Sequence, residues 1–386
     1  MSRVLFIVPP LTGHINPTLA VAAELTARGH EVAWVGHETV LSRLLPEGAE
    51  RLPLDDRIPQ ALHDAMMAKA MGARGLVALK FLWQEFLVPL GRAMVPGLEA
   101  AVQAYAPDCL AVDQQALAGG IVARRFELPW ATLATTSAAV TDSLAALPRV
   151  AAWVDEQLAL LQREHGLTPL PGHNISPHAV IVFSTDALVG PLDRFQAHYH
   201  FVGPSLRQRE ERDDFPWQQL APERSRVLVS LGTVNAERGR RFYRAVVDGL
   251  RDEPLQVIFA APPELIGELP PHMLVRAHVP QLRLLSHVQA VISHGGHNTV
   301  CETLSHGLPL VVAPIRDDQP VVAEQVVTAN AGVRVRFARV GPAGIRRAVR
   351  RVLDDPTFAA GARRVQASFR TAGGAAAAAR VIEGLR

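Results

Sequence analysis

Val4-Leu5-Phe6-Ile7-Val8 is an unbroken apolar run of strand length, and Pro9-Pro10-Leu11-Thr12-Gly13-His14 follows it as a loop. Asn16 reads as a helix N-cap, with Pro17 at the first helical position. Leu19, Ala22, Ala23 and Leu25 keep helical spacing, and Gly29 closes the helix. Glu31-Val32-Ala33-Trp34-Val35-Gly36 is a second strand. A buried strand, a helix and another strand form a βαβ unit, so the sheet is expected to be parallel.

The same grammar continues outward. Residues 57–105 read as helical and rather apolar, and 108–113 as a strand ending in Asp113 with a helix over 116–126. Strands are expected at 130–135, 180–184 and 200–202, with an amphipathic helix over 151–165. Residues 207–225 are charged, carry Pro216 and Pro222, and read as a linker. A second α/β pattern follows, with strands at 226–231, 255–260, 290–293 and 310–313. Helices are expected over 237–251, 299–305, 320–331, 342–353 and 358–384. The expectation is an α/β protein of two doubly wound, Rossmann-like domains facing a cleft. The N-terminal domain spans 1–206 and the C-terminal domain 226–386, with the last helix able to pack back on the first domain. Ligands of such sheets bind beyond the carboxyl ends of the strands, where His14, Asp113, Thr233, His294 and Asp318 fall.

Composition narrows the function classes. With 386 residues, 48% hydrophobic, the chain is long enough for two cores. Thirty-nine basic residues against 37 acidic ones leave +2, which gives no electrostatic case for nucleic acid. Cys109 and Cys301 are far apart, lack metal-ligand spacing and fit a reducing compartment. No stretch approaches the ~18 apolar residues of a membrane span. The apolar start is too short for a secretory leader, so a cytoplasmic protein, monomer or homodimer, is expected.

The strongest local signal is His294-Gly295-Gly296-His297-Asn298-Thr299, a glycine turn between a strand and a helix. A helix N-terminus directs unpaired N–H groups at an anion, and glycine lets a phosphate approach. Taken alone, the segment reads equally well as a plain turn. Its neighbours are His278-Val279-Pro280-Gln281, Glu302 and Pro314-Ile315-Arg316-Asp317-Asp318-Gln319. That order, over about residues 277–325, resembles the C-terminal signature of the nucleotide-sugar glycosyltransferases that modify small natural products, among them bacterial macrolide and carotenoid enzymes and plant secondary-metabolite enzymes. Gly13-His14-Ile15-Asn16-Pro17 and Phe201-Val202-Gly203-Pro204 extend the resemblance over most of the chain.

The resemblance implies the GT-B fold, with the donor held mainly by the C-terminal half. It puts His278, Val279 and Gln281 at the base and ribose, and Glu302 on the ribose hydroxyls. His294, Gly296, Asn298 and Thr299 would hold the diphosphate, and Asp318 and Gln319 would read the sugar. Thr233 would add a phosphate or sugar contact. Many relatives have Trp where His278 stands; a smaller ring stacks less area and leaves uracil against thymine open. His297 reads as a solvent-facing loop histidine, and Arg316 and Asp317 as solvated loop charges.

A lone loop histidine such as His14 is more often structural, and Asp113 could equally cap a turn or helix. The resemblance makes His14 the base and Asp113 the carboxylate that orients it. It implies an inverting hexosyltransferase that needs no cofactor or metal. The donor is a nucleoside diphosphate sugar, UDP-glucose-like or a TDP-deoxysugar, and the acceptor is a small, apolar molecule. Asp318-Gln319 leans towards a fully hydroxylated hexose. Residues 62–95 and 136–150 are candidate acceptor walls, although ordinary helix packing explains them as well. A sugar-nucleotide epimerase is the alternative; a dinucleotide dehydrogenase is disfavoured because the first loop lacks G-x-G-x-x-G.

Overall fold

The structure is a computed structural model that describes residues 1–55, 76–141, 147–206, 215–232 and 239–385. It divides into two α/β units, each built on a wholly parallel sheet. The first comprises Met1–Phe183, Leu192–Arg207 and Ala372–Arg386; the second comprises Ser184–Pro191 and Gln208–Thr371. The segment 184–191 and the C-terminal stretch thus each belong to the unit on the other side of the 207–225 linker in sequence.

In the first unit, β1 (Arg3–Ile7), β2 (Glu31–His37), β3 (Glu50–Leu54), β4 (Cys109–Asp113), β5 (Trp130–Ala134), β6 (Ala179–Val182) and β7 (Tyr199–Phe201) are ordered β3-β2-β1-β4-β5-β6-β7. Central strands are buried on both faces, which is why they read as apolar runs without alternation. Leu5 and Ile7 join one core layer; Val4, Phe6 and Val8 join the other. Each such fully buried aliphatic side chain stabilises the fold by roughly 1.5–3 kcal/mol. Helices Val88–Tyr105, Ala118–Arg125 and Pro148–Glu164 cover the first layer. Helices Thr12–Ala27 and Gly374–Glu383 cover the second, the latter through Ala377, Ala378, Ala379 and Ile382.

Some boundaries differ from expectation. The first helix starts at Thr12, so Asn16 is not its cap and Pro17 lies inside it. Leu11 enters in an extended conformation, and its carbonyl accepts the amides of His14 and Ile15 at 2.9 and 3.2 Å. Pro17 removes only the bond to the fourth residue back. The terminal helical region is two helices, Pro356–Ala372 and Gly374–Glu383, split where Gly373 adopts φ +91°. The described part of the 57–105 stretch is helical but carries a π-helical turn at Leu82–Leu87.

In the second unit, β8 (Ser225–Ser230), β9 (Leu255–Ala260), β10 (Met273–Arg276), β11 (Ala290–Ser293), β12 (Leu310–Val312) and β13 (Gly332–Arg334) are ordered β10-β9-β8-β11-β12-β13. Among the described residues no helix is long and apolar enough to cross a membrane.

His173, buried beside the Ala118–Arg125 helix, makes the first unit sensitive to acid. Burial pushes its pKa down to about 4, helped by the nearby Arg124 cation. The unfolded chain takes up this proton near pH 6.5 and the native state refuses it until about pH 4. Stability is therefore full above pH 6.5 and falls between 6.5 and 4, by about 1.4 kcal/mol per pH unit. His173→Leu is expected to lose about 2 kcal/mol less than the parent between pH 7 and pH 5, read from urea midpoints. Equal losses in the two proteins would show that His173 carries none of the effect.

Candidate active site

In the first sheet the strand order reverses between β1 and β4, the place where ligands of doubly wound sheets bind. His14 follows β1 as the third residue of the Thr12–Ala27 helix, one turn earlier in helical structure than the sequence implies. Thr18 anchors that first stretch: its hydroxyl donates to the Ile15 carbonyl at 2.7 Å and accepts from Trp34 Nε1 at 2.9 Å. Asp113 ends β4 and is 1% exposed. His14 Nδ1 lies 3.0 Å from each carboxylate oxygen of Asp113, and the His14 side chain retains 16% exposure.

The carboxylate has two further donors. The Gln115 backbone N–H donates to Oδ1 at 2.8 Å, and the Thr135 hydroxyl donates to Oδ2 at 2.7 Å. Thr135 Oγ1 is also 2.8 Å from His14 Nδ1. Sequence reasoning missed this residue. The available signal was positional: Asp113 pairs with Leu133 across β4 and β5, and Thr135 is the polar residue just beyond. An anionic partner on Nδ1 favours the tautomer with the proton there, which makes Nε2 the basic nitrogen.

The second sheet reverses between β8 and β11, whose ends Ser230 and Ser293 are in register. His294 follows immediately and is 8% exposed. Its ring is wedged against two glycines: a Cβ on Gly232 would lie 2.9 Å from Cε1, and one on Gly296 only 2.4 Å from Nε2. Gly295 takes φ +86°, a conformation that side chains disfavour. Burial lowers the His294 pKa, against the opposing effect of the Asp318 charge, so the ring is neutral near pH 7.

The helix His297–Ser305 begins two residues earlier than expected, which puts Asn298 and Thr299 in its first turn. That turn carries no acidic residue of its own. Glu302 is buried one turn further on and accepts a hydrogen bond from Gln281 Nε2. Val279 is half-buried on the core and His278 is exposed. Asp318 ends the loop after β12 and is close enough to His294 to act on its ring.

Three side chains depart from the sequence reading. His297 is buried, not solvent-facing, with Nε2 3.5 Å from Cys301 Sγ. Arg316 is only 14% exposed and pairs with Asp317 at 3.3 Å, so it is no solvated loop charge. Gln319 Oε1 accepts the Ile315 and Arg316 amides at 2.9 and 3.1 Å, which commits its carbonyl to the loop and leaves the amide group for a sugar. Thr233 lies outside the described residues, as do the parts of the candidate acceptor walls at 62–75 and 142–146. In the described part, Phe86, Leu87 and Met94 are core residues, while Leu82 and Trp83 are half-buried against that core.

Residues 207–367 match the family model described as UDP-glucoronosyl and UDP-glucosyl transferase. Over 420 aligned residues the chain is 31% identical to demethyllactenocin mycarosyltransferase of Streptomyces fradiae, covering 100% of this chain and 87% of that one. The chain belongs to this glycosyltransferase family. Identity to the NDP-glycosyltransferase YjiC of Bacillus subtilis (strain 168) is 29%, covering 97% of this chain and 95% of the relative. Among solved structures, the calicheamicin glycosyltransferase CalG4 superposes with a TM-score of 0.82 at 26% identity, covering 100% and 98% of the two chains. The two parallel-sheet units are thus those of the GT-B glycosyltransferases. In this chain the two strand-order reversals gather separate chemistry: a histidine–carboxylate pair in one unit, and a glycine turn with a helix N-terminus in the other.

Proposed function

We propose that the chain is an inverting, metal-independent hexosyltransferase of the cytoplasm that glycosylates a hydroxyl of a small, apolar natural product. The observation that carries this reading is the His14 ring with Nδ1 at 3.0 Å from both oxygens of a buried Asp113. Nε2 takes the acceptor's proton as its oxygen bonds to the anomeric carbon. The bond from that carbon to the diphosphate oxygen breaks, and the nucleoside diphosphate leaves with the electron pair. Asp113 stabilises the imidazolium that forms. One displacement inverts the anomeric centre.

On the donor, Glu302 takes the ribose hydroxyls with Gln281 beside it, and exposed His278 with Val279 meets the base. The first-turn amides from His297 to Thr299 and the neutral His294 ring meet the diphosphate charge, with Gly296 leaving room for it. Asp318 reads sugar hydroxyls, and Gln319 contributes only its amide N–H groups. The acceptor class follows the relatives named for demethyllactenocin and calicheamicin. Those relatives and the family model are transferases, which gives the epimerase alternative no support.

A panel of UDP- and TDP-sugars scored by thermal shift tests the donor. UDP-glucose is expected to raise the melting temperature most. A larger shift with a TDP-deoxysugar would overturn the preference for a fully hydroxylated hexose. Chiral analysis of the product from an α-linked donor checks the stereochemistry, with a β-linked glycoside as the expected result.

A further inference from the structure

The hydroxyl of Thr135 touches both members of the His14–Asp113 pair, and the geometry points to it as a positioning residue that selects the reactive tautomer of His14. The assignment rests on the reading of His14 as the base. Thr135 is 4% exposed and lies just past the end of β5, beside β4 in the sheet. Its one proton goes to Asp113 Oδ2 at 2.7 Å. A hydroxyl that donates in that direction can only accept from a third group, and His14 Nδ1 is 2.8 Å away.

Nδ1 therefore faces three oxygens, two of the carboxylate and one of the hydroxyl, each acting as an acceptor. With the proton on Nδ1 every contact is attractive. With the proton on Nε2, the Nδ1 lone pair would face the carboxylate, and Thr135 would have to turn its proton away from Asp113 to reach it. In that arrangement Nε2 could not accept a proton. By holding its own proton on Oδ2, Thr135 makes the inactive tautomer unfavourable and limits rotation of the carboxylate.

Thr135→Val keeps the shape and removes the hydroxyl; Thr135→Ser keeps the hydroxyl. Nitrogen-15 NMR of histidine-labelled protein, with His14 assigned by difference against His14→Gln, reads the ring without any substrate. The parent should show a protonated Nδ1 and an unprotonated Nε2 in the neutral ring. Thr135→Val should show a mixture of tautomers, because Nδ1 loses one of its three acceptors and the carboxylate loses the donor that fixes its rotation, and Thr135→Ser should restore the parent pattern. In turnover of UDP-glucose with a simple phenol, Thr135→Val should lower kcat roughly tenfold with little change in donor KM, and Thr135→Ser should recover it. An unchanged tautomer in Thr135→Val would overturn the assignment, as would a serine variant no better than valine. Full activity of His14→Gln would instead remove the reading of His14 as base, a separate failure that the NMR result does not share.

Discussion

His14→Ala is expected to reduce sugar transfer by roughly a hundred- to ten-thousandfold, the range general-base catalysis contributes. The nucleophile is a hydroxyl, far too weak an acid to lose its proton unaided at neutral pH. Removing the imidazole leaves Asp113 buried, with its Gln115 and Thr135 donors still in place, so the carboxylate remains partly satisfied. The His14 side chain is itself partly exposed, and its deletion removes little core volume. The fold should therefore survive, and UDP affinity should stay within about twofold, because the groups proposed to hold the nucleotide belong to the second unit. Calorimetric titration with UDP alongside turnover measurements separates these effects. Near-parental turnover would end the assignment of His14 as base. Loss of UDP binding together with turnover would point instead to a structural role.

Gly296→Ala should give the opposite pattern, with donor binding lost first. Gly296 has φ −62° and ψ 134°, an ordinary backbone conformation, so the cost is one of space. The new methyl carbon would sit 2.4 Å from His294 Nε2, well inside van der Waals contact. Either the buried ring moves or the first turn of the His297–Ser305 helix tilts, and both disturb the anion-facing groups. Overpacking of this kind costs about 1–3 kcal/mol of stability. Loss of two charge-assisted hydrogen bonds to phosphate would weaken UDP on the order of a hundredfold. A variant with parental UDP affinity would show that this turn does not hold the diphosphate. Gly295→Ala is a useful contrast, since there the left-handed φ of +86° adds backbone strain to the clash with Val312.

The central strands were legible because they are buried on both faces, as Val4–Val8 and Ala290–Ser293 illustrate. The strands that the sequence does not reveal, Glu50–Leu54, Met273–Arg276 and Gly332–Arg334, are three of the four edge strands, the fourth being the legible β7. Edge positions are only partly covered, tolerate Pro53, and need no continuous apolar run. The glycine turn was legible as a loop, but its division of labour was not. Only coordinates show that Gly295 answers a dihedral constraint and Gly296 a distance to His294. Thr135 was hidden for a related reason: it acts through register with β4, across more than twenty residues of sequence. The burial of His297 and Arg316 depends on packing that residue type alone argues against.

The helix Gly374–Glu383 supplies part of the layer that covers the first sheet, although more than a hundred and fifty residues of the second unit precede it. On the ribosome, the helix Thr12–Ala27 and β6 emerge early, and Gly374–Glu383, which packs against both, follows only after the rest of the second unit. Until then an apolar strip of the first unit is left to solvent or to a chaperone. Order of synthesis and order of completion are therefore opposed for these two units: the one begun first is covered only after the other has been made.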